Sequence, residues 1–195
     1  AGILTLARHI HLADARLKSG NWKKHMGRLL EGKKIGLIGL GRVAKHLVRL
    51  LQPFDPEISA IDPYPDHDFA KQYSIKWVEK DEMMAQSDII SLHIPYSPEN
   101  DDYIDAREFG LMKNDVMLIN ASRGGLVNEE ELLRFLKENP KAFAFFDTFR
   151  QEPYSGPLTE LDNVLLTPHI GSSANETRIE MEMAAAENVI KHFNK

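Results

Sequence analysis

The chain has no cysteine, which removes a disulfide framework, a thiolate nucleophile and a sulfur-ligated zinc site together, although it fixes no compartment. It also lacks any long block of Lys or Arg. With 24 basic residues against 29 acidic ones and a formal net charge of −5, no clustered positive charge is available to neutralise phosphates, so a nucleic-acid partner is set aside. No apolar run approaches the roughly 20 residues needed to cross a bilayer, and the first residues lack the basic-then-apolar pattern of a signal peptide. The expectation is a soluble, cytoplasmic chain with no membrane partner. Its eight histidines are scattered without a His-Glu-x-x-His arrangement, so no metal site is expected. What is there is ordinary for one globular domain: 195 residues, 43% apolar and 27% charged.

The two ends both fall in helical patterns. Ile3, Leu4, Leu6, Ala7, Ile10 and Leu17 recur at helix-like spacing up to Ser19 and Gly20, and the chain starts there without a methionine. Ile179, Met183, Ala186, Val189, Ile190 and Phe193 form a second amphipathic pattern that runs to the end. The expectation is a single domain over residues 1–195, excised from something longer.

From Lys33 onward, short β-prone apolar runs alternate with longer helical stretches, the signature of βαβ units in a parallel sheet. The strands are expected at Ile35 to Ile38, Glu57 to Ile61, Ile75 to Val78, Ile89 to Leu92, Val116 to Ile119, Ala142 to Phe146 and Val164 to Leu166. They are apolar on both faces, as strands covered by helices on both sides must be. Helices are expected at Val43 to Leu51, Asp66 to Gln72, Lys80 to Gln86, Asp105 to Gly110, Glu129 to Glu138 and Asn175 to Phe193. The fold class is therefore α/β, a Rossmann-type doubly wound parallel sheet of about seven strands with helices on both faces. Two turn-rich loops, Pro95 to Asp102 and Arg150 to Leu158, follow strand ends, where ligands sit in such sheets.

Residues 39–44 read Gly-Leu-Gly-Arg-Val-Ala between a strand and a helix. This is a G-x-G-x-x-G/A fingerprint: Gly39 permits the tight turn, Gly41 leaves room for a pyrophosphate, and Ala44 lets the helix lie close to the sheet. The helix amino terminus then offers unpaired N–H groups to phosphate. Asp62 closes the second strand about 20 residues on, where an acid accepts hydrogen bonds from ribose hydroxyls and repels a ribose phosphate. NAD is favoured over NADP, although Arg42 nearby offers a compensating charge.

Three more segments each follow a strand. Asn120-Ala121-Ser122-Arg123-Gly124-Gly125 follows the fifth, Asp147-Thr148-Phe149-Arg150-Gln151-Glu152-Pro153 the sixth, and Thr167-Pro168-His169-Ile170-Gly171 the seventh. A guanidinium, a carboxylate and an imidazole at one sheet edge suit a 2-oxo acid: Arg fixes carboxylate or carbonyl oxygens, His moves the proton, and Glu orients His. His93 at a strand end reads as structural or as a backbone contact to the cofactor. Glu129 to Glu131 read as acids favouring a helix amino terminus.

Taken together, these motifs make the sequence resemble the nucleotide-binding domain of the D-isomer-specific 2-hydroxyacid dehydrogenases over essentially its whole length. The fingerprint with its acid, Ser91-Leu92-His93 before Pro95, Asn120 to Gly124, Asp147 to Pro153 and Pro168 to Gly171 appear in that family's order. The resemblance implies that Arg123 binds the substrate carboxylate and carbonyl, that His169 is the acid/base, and that Glu152 hydrogen-bonds His169 and favours its imidazolium form. It implies cofactor contacts from Arg42 and Val43, from Ile94 and Pro95, from Ala121 and Ser122, from Asp147 on the carboxamide, and from Gly171 with Ser172. It also implies a homodimer, and a substrate domain that helices 1–18 and 175–195 would join. Thr148 and Tyr96 stand where aliphatic residues are usual in the family, and Glu152 in place of glutamine sets the chain apart from the related formate dehydrogenases. C-terminal-binding-protein corepressors share the fold and the Arg, Glu and His set, so an NAD-sensing binding protein is the alternative.

Overall fold

The computed structural model describes residues 1–193. Seven strands form one sheet: β1 Lys34–Ile38, β2 Glu57–Ile61, β3 Lys76–Trp77, β4 Ile89–Leu92, β5 Met117–Asn120, β6 Phe143–Phe146 and β7 Val164–Leu166. Their spatial order is β3-β2-β1-β4-β5-β6-β7 and every pairing is parallel. The expected doubly wound Rossmann-type sheet is thus what forms. The chain leaves β1 toward one edge and returns through β4 on the other side, so the topological switch lies between β1 and β4.

The two faces of the sheet follow from strand alternation. Ile35 and Leu37 of β1 pack with Ala44, Val48 and Leu51 on one face, while Ile38 packs with Met83 and Met84 on the other. The same division separates Ile89 from Ile90 in β4 and Met117 from Leu118 in β5. Helices α3 Arg42–Leu51 and α4 His67–Gln72 cover the first face. Helices α5 Lys80–Gln86, α6 Ala106–Leu111 and α7 Glu129–Glu138 cover the second. Caps set the helix starts: the Asp66 side chain accepts from the Phe69 N–H, Asp105 and Glu108 form a capping box, and Asn128 accepts from Glu130 and Glu131. The acids Glu129, Glu130 and Glu131 sit in the first turn of α7 as expected.

At the amino end one amphipathic pattern becomes two helices, α1 Gly2–Ala7 and α2 Ile10–Lys18, divided where His9 takes a left-handed φ of 52°. The break has a packing reason. Ile3, Leu6 and Ala7 are buried against β5 and β6, whereas α2 has no fully buried residue and packs on the core only through half-buried Leu12. Arg28 then ties the following segment down by donating to the carbonyls of Asp115 and Lys141. Helix α8, Asn175–Phe193, likewise has no buried residue. Among the described residues no helix is long and apolar enough to cross a membrane.

Because Leu6 is fully buried in the core, α1 is a working part of this domain. Leu6→Ala is expected to lower the free energy of unfolding by about 2–5 kcal/mol, as for other large-to-small core changes. Urea unfolding measures it, and a change within ~0.5 kcal/mol would mean that α1 is not part of the cooperative unit.

Candidate active site

Since all strands are parallel, their carboxyl ends share one edge, and every segment singled out in the sequence emerges there. After β1, Gly39 turns the chain with φ 91°, and its N–H donates to the Ile61 carbonyl at 2.8 Å. A Cβ at this position would lie 2.9 Å from both the His93 carbonyl oxygen and Ile94 Cγ2, so only glycine fits against the β4 loop. Gly41 faces the opposite situation. Nothing lies within 4 Å of where its Cβ would be, so its backbone opens onto the crevice at the start of α3. No side chain caps that helix, which leaves its first N–H groups available to an anion. Ala44 is fully buried beneath.

Asp62 is fixed toward this turn from β2. Its Oδ2 accepts from the Leu40 N–H at 2.7 Å and its Oδ1 from the Tyr64 N–H at 2.8 Å. Each oxygen keeps a further lone pair for a ribose hydroxyl. A dinucleotide therefore fits this chain: an unblocked glycine, an uncapped helix start and an oriented acid occupy the positions such a ligand needs. Arg42 and Val43 lie exposed on the first turn of α3, Ile94 packs on Gly39, and Pro95 is exposed beside it. Behind the turn, His93 Nε2 lies 2.9 Å from Ser91 Oγ, and burial lowers its pKa to about 4, so it is neutral near pH 7.

The loop after β5 is folded by Asn120, which is 1% exposed. Its Nδ2 donates to the Arg123 carbonyl at 2.9 Å, and its Oδ1 accepts from the Ser122 N–H and hydroxyl at 3.2 and 3.0 Å. Ala121 and Arg123 are exposed on either side of Ser122. Beyond Arg123, Gly124 is pressed on the next loop so closely that a Cβ would sit 1.8 Å from the Phe149 carbonyl oxygen.

Asp147 plays the corresponding part after β6. It is 2% exposed, and its oxygens accept from the Thr167 hydroxyl at 2.5 Å, the Ile170 N–H at 2.8 Å and the Gly171 N–H at 2.8 Å. These bonds pin the β7 loop on both sides of His169, which takes a left-handed φ of 53°. Thr167 carries no signal in the sequence that would mark it as Asp147's partner. Gly171 and Ser172 are exposed just beyond.

Held this way, His169 Nδ1 lies 2.9 Å from Glu152 Oε2, while Glu152 Oε1 accepts from the Phe149 N–H at 3.0 Å. With Nδ1 engaged, Nε2 is the ring nitrogen left for a reacting atom. The hydrogen bond from His169, helped by the Phe149 N–H and the charge of Arg123, holds the Glu152 carboxyl below the usual glutamate range. A cavity of about 560 Å³ opens against this pair, with Phe149, Tyr154 and Leu166 on its walls. Among the described residues no group of three or more His, Asp or Glu side chains is placed to hold a metal ion.

Residues 1–171 match the family model described as "D-isomer specific 2-hydroxyacid dehydrogenase, NAD binding domain". D-3-phosphoglycerate dehydrogenase of Archaeoglobus fulgidus is 38% identical over 96% of this chain and 36% of its own length. Glyoxylate reductase of Thermococcus litoralis is 36% identical over 96% of this chain and 60% of its own. Among solved structures, apo D-lactate dehydrogenase from Escherichia coli superposes with a TM-score of 0.89 at 30% identity, over 98% of this chain and 62% of that one. The chain thus spans between about a third and three fifths of the length of these relatives.

The Glu152–His169 contact predicts a titration. Glu152 should titrate below the free glutamate value of about 4.3, and His169→Ala should move it back up. Because its pKa is lowered in the folded state, the stabilisation it contributes is present above the unfolded value and is lost as pH falls through the folded one. Carboxyl-detected NMR follows this, and an unchanged Glu152 titration in His169→Ala would show that the pair does not form in solution.

Proposed function

The chain belongs to the D-isomer specific 2-hydroxyacid dehydrogenase family, whose NAD-binding domain it comprises, and from that premise we propose that it serves the NAD-dependent interconversion of a small 2-oxo acid and its D-2-hydroxy acid. The observation that carries this reading is the Glu152–His169 pair at 2.9 Å, at the same sheet edge as the glycine turn and one loop from Arg123. A general acid/base and a carboxylate anchor beside a dinucleotide cradle are what a carbonyl reduction requires.

In this reading Gly39, Gly41 and the first turn of α3 hold the pyrophosphate, with Arg42 and Val43 beside it, and Asp62 holds the adenosine ribose. Ile94, Pro95, Ala121, Ser122, Asp147, Gly171 and Ser172 border the rest of the dinucleotide. When bound, the nicotinamide supplies or accepts the hydride. Arg123 binds the carboxylate of the acid through paired N–H groups and so orients its carbonyl. His169, protonated on both nitrogens, donates its Nε2 proton to the carbonyl oxygen during reduction, and takes a hydroxyl proton in the reverse direction. Glu152 accepts from Nδ1 and fixes the ring plane. The two carboxylates are held differently: Glu152 faces the imidazole, whereas Asp147 accepts from Thr167, Ile170 and Gly171.

Two experiments test this reading. Fluorescence titration of the chain should give NADH binding about tenfold to a hundredfold tighter than NADPH, because Asp62 repels a 2′-phosphate, and Asp62→Ala should narrow the ratio. Equal affinities in the unaltered chain would remove Asp62 from cofactor selection. In the full-length protein, Arg123→Gln and His169→Gln should each lower kcat/KM for 2-oxo acid reduction by about 10²–10⁴. Retention of unaltered rates would dismiss either residue from the mechanism, and NADH binding without turnover of any 2-oxo acid would favour a cofactor-sensing role.

A further inference from the structure

The residue next in chain to Phe149 makes more inter-loop bonds than either Arg123 or His169. Arg150 Nη1 donates to Asp101 Oδ1 at 2.9 Å and Nη2 to Asp102 Oδ1 at 2.5 Å, with Nη2 also 3.4 Å from the Gly125 carbonyl. Its backbone N–H donates to Glu129 Oε1 at 2.7 Å. One side chain therefore joins the loop after β4, the loop after β5 and the loop after β6. A second bond runs parallel to it, from the Asp102 N–H to the Gly125 carbonyl at 2.8 Å.

These are the loops that carry the candidate catalytic groups. Gly125 is two residues beyond Arg123, and Gly124 between them is pressed against the Phe149–Arg150 peptide. Phe149 in turn donates the N–H that fixes Glu152. Tyr96 closes the arrangement from the β4 side, since a Cβ on Gly125 would meet its ring at 2.8 Å. A displacement of Arg150 is thus transmitted on one side to the backbone carrying Arg123 and on the other to the N–H that orients Glu152. Arg150 and its two acids are each about a third to a half exposed, so water and salt reach the clasp.

We propose that Arg150 is a positioning residue whose bonds to Asp101, Asp102 and Gly125 set the spacing of Arg123 from the Glu152–His169 pair, and thereby the affinity for the 2-oxo acid in a salt-dependent way. This rests on the reading of Arg123 as the carboxylate anchor. A small misplacement of an anchoring guanidinium acts on substrate binding more than on the pyrophosphate and adenosine ribose of the cofactor, whose glycine turn and Asp62 follow β1 and β2 and make none of these bonds. A merely structural role for Arg150 would lower thermal stability and the active fraction, leaving KM where it was.

The test uses the full-length protein and whichever of glyoxylate, pyruvate or 3-phosphohydroxypyruvate it reduces fastest. Arg150→Gln should raise KM for that acid about 5- to 20-fold, with kcat within about threefold and the NADH Kd within about twofold. Asp101→Asn combined with Asp102→Asn should do the same, and adding it to Arg150→Gln should bring little further change, since the groups act as one unit. Arg150→Lys should recover part of the loss. Raising NaCl from about 0.05 to 0.5 M should increase KM in both proteins, since the Arg123–carboxylate contact is itself screened, but by a clearly larger factor in the unaltered protein than in Arg150→Gln. An unchanged KM in Arg150→Gln, a loss confined to kcat, or the same salt dependence with and without Arg150 would overturn the proposal. Arg123→Gln measured alongside separates the two readings. If Arg123→Gln is impaired and Arg150→Gln is not, only the clasp fails; if Arg123→Gln keeps its KM, the anchor reading fails and the clasp falls with it.

Discussion

A parallel strand cannot be joined to its neighbour by a tight turn; each pair needs a crossover long enough to return to the starting edge. That constraint governs everything at the active edge of this molecule. Seven parallel strands place seven carboxyl ends along one rim, and the segments from residue 39 to residue 171 meet along it. The reversal of strand order between β1 and β4 then opens the crevice in which an extended ligand can lie. The glycine turn sits on one side of that crevice and the Arg123, Glu152 and His169 loops on the other.

Within the rim, the work is divided between buried polar groups and exposed ones. Asn120 and Asp147 are 1% and 2% exposed, and neither could be buried at tolerable cost without full hydrogen bonding. Each meets that demand by bonding the loop that presents a reactive side chain: Asn120 holds the Arg123 carbonyl, and Asp147 holds the N–H groups of Ile170 and Gly171. These bonds support the left-handed backbone of His169, a conformation that costs a non-glycine residue free energy. Removing the Asp147 acceptor would thus strand two N–H groups as well as release the histidine.

The parts of this arrangement that were legible in the sequence are those set by local chemistry. Alternating apolar runs gave the strands to within a residue or two, because a strand covered on both faces needs continuous apolar side chains. The glycine turn and Asp62 were readable because the backbone conformation and the open space at Gly41 demand particular residues at a fixed spacing. β3 is shorter than its apolar run, Lys76–Trp77 in place of residues 75–78, because only these two residues pair with β2, opposite Ser59 and Ala60. The amino-terminal pattern gave no sign of its break at His9, since both halves read as helical and only the docking of the first on β5 and β6 distinguishes them. Asp147's choice of Thr167, and Arg150's of Asp101 and Asp102, connect positions roughly 20 and 50 residues apart; no periodicity records such pairings.

The exposure of the candidate Glu152–His169 pair bears on the strength of its contact. His169 and Glu152 are 50% and 38% exposed, and an ion pair so open to water is worth at most about 1 kcal/mol. At that strength Glu152 fixes the tautomer and plane of the ring, but does little to drive proton transfer. The same 2.9 Å contact would be worth several times more with water excluded, because the effective dielectric falls. Geometry is therefore built into this domain by buried Asn120 and Asp147, whereas in the proposed reading electrostatic strength would come from exclusion of water around the pair. In the proposed reading, a site arranged in this way would keep its orientation while open and gain its field only on closure, which would tie proton transfer to the presence of substrate.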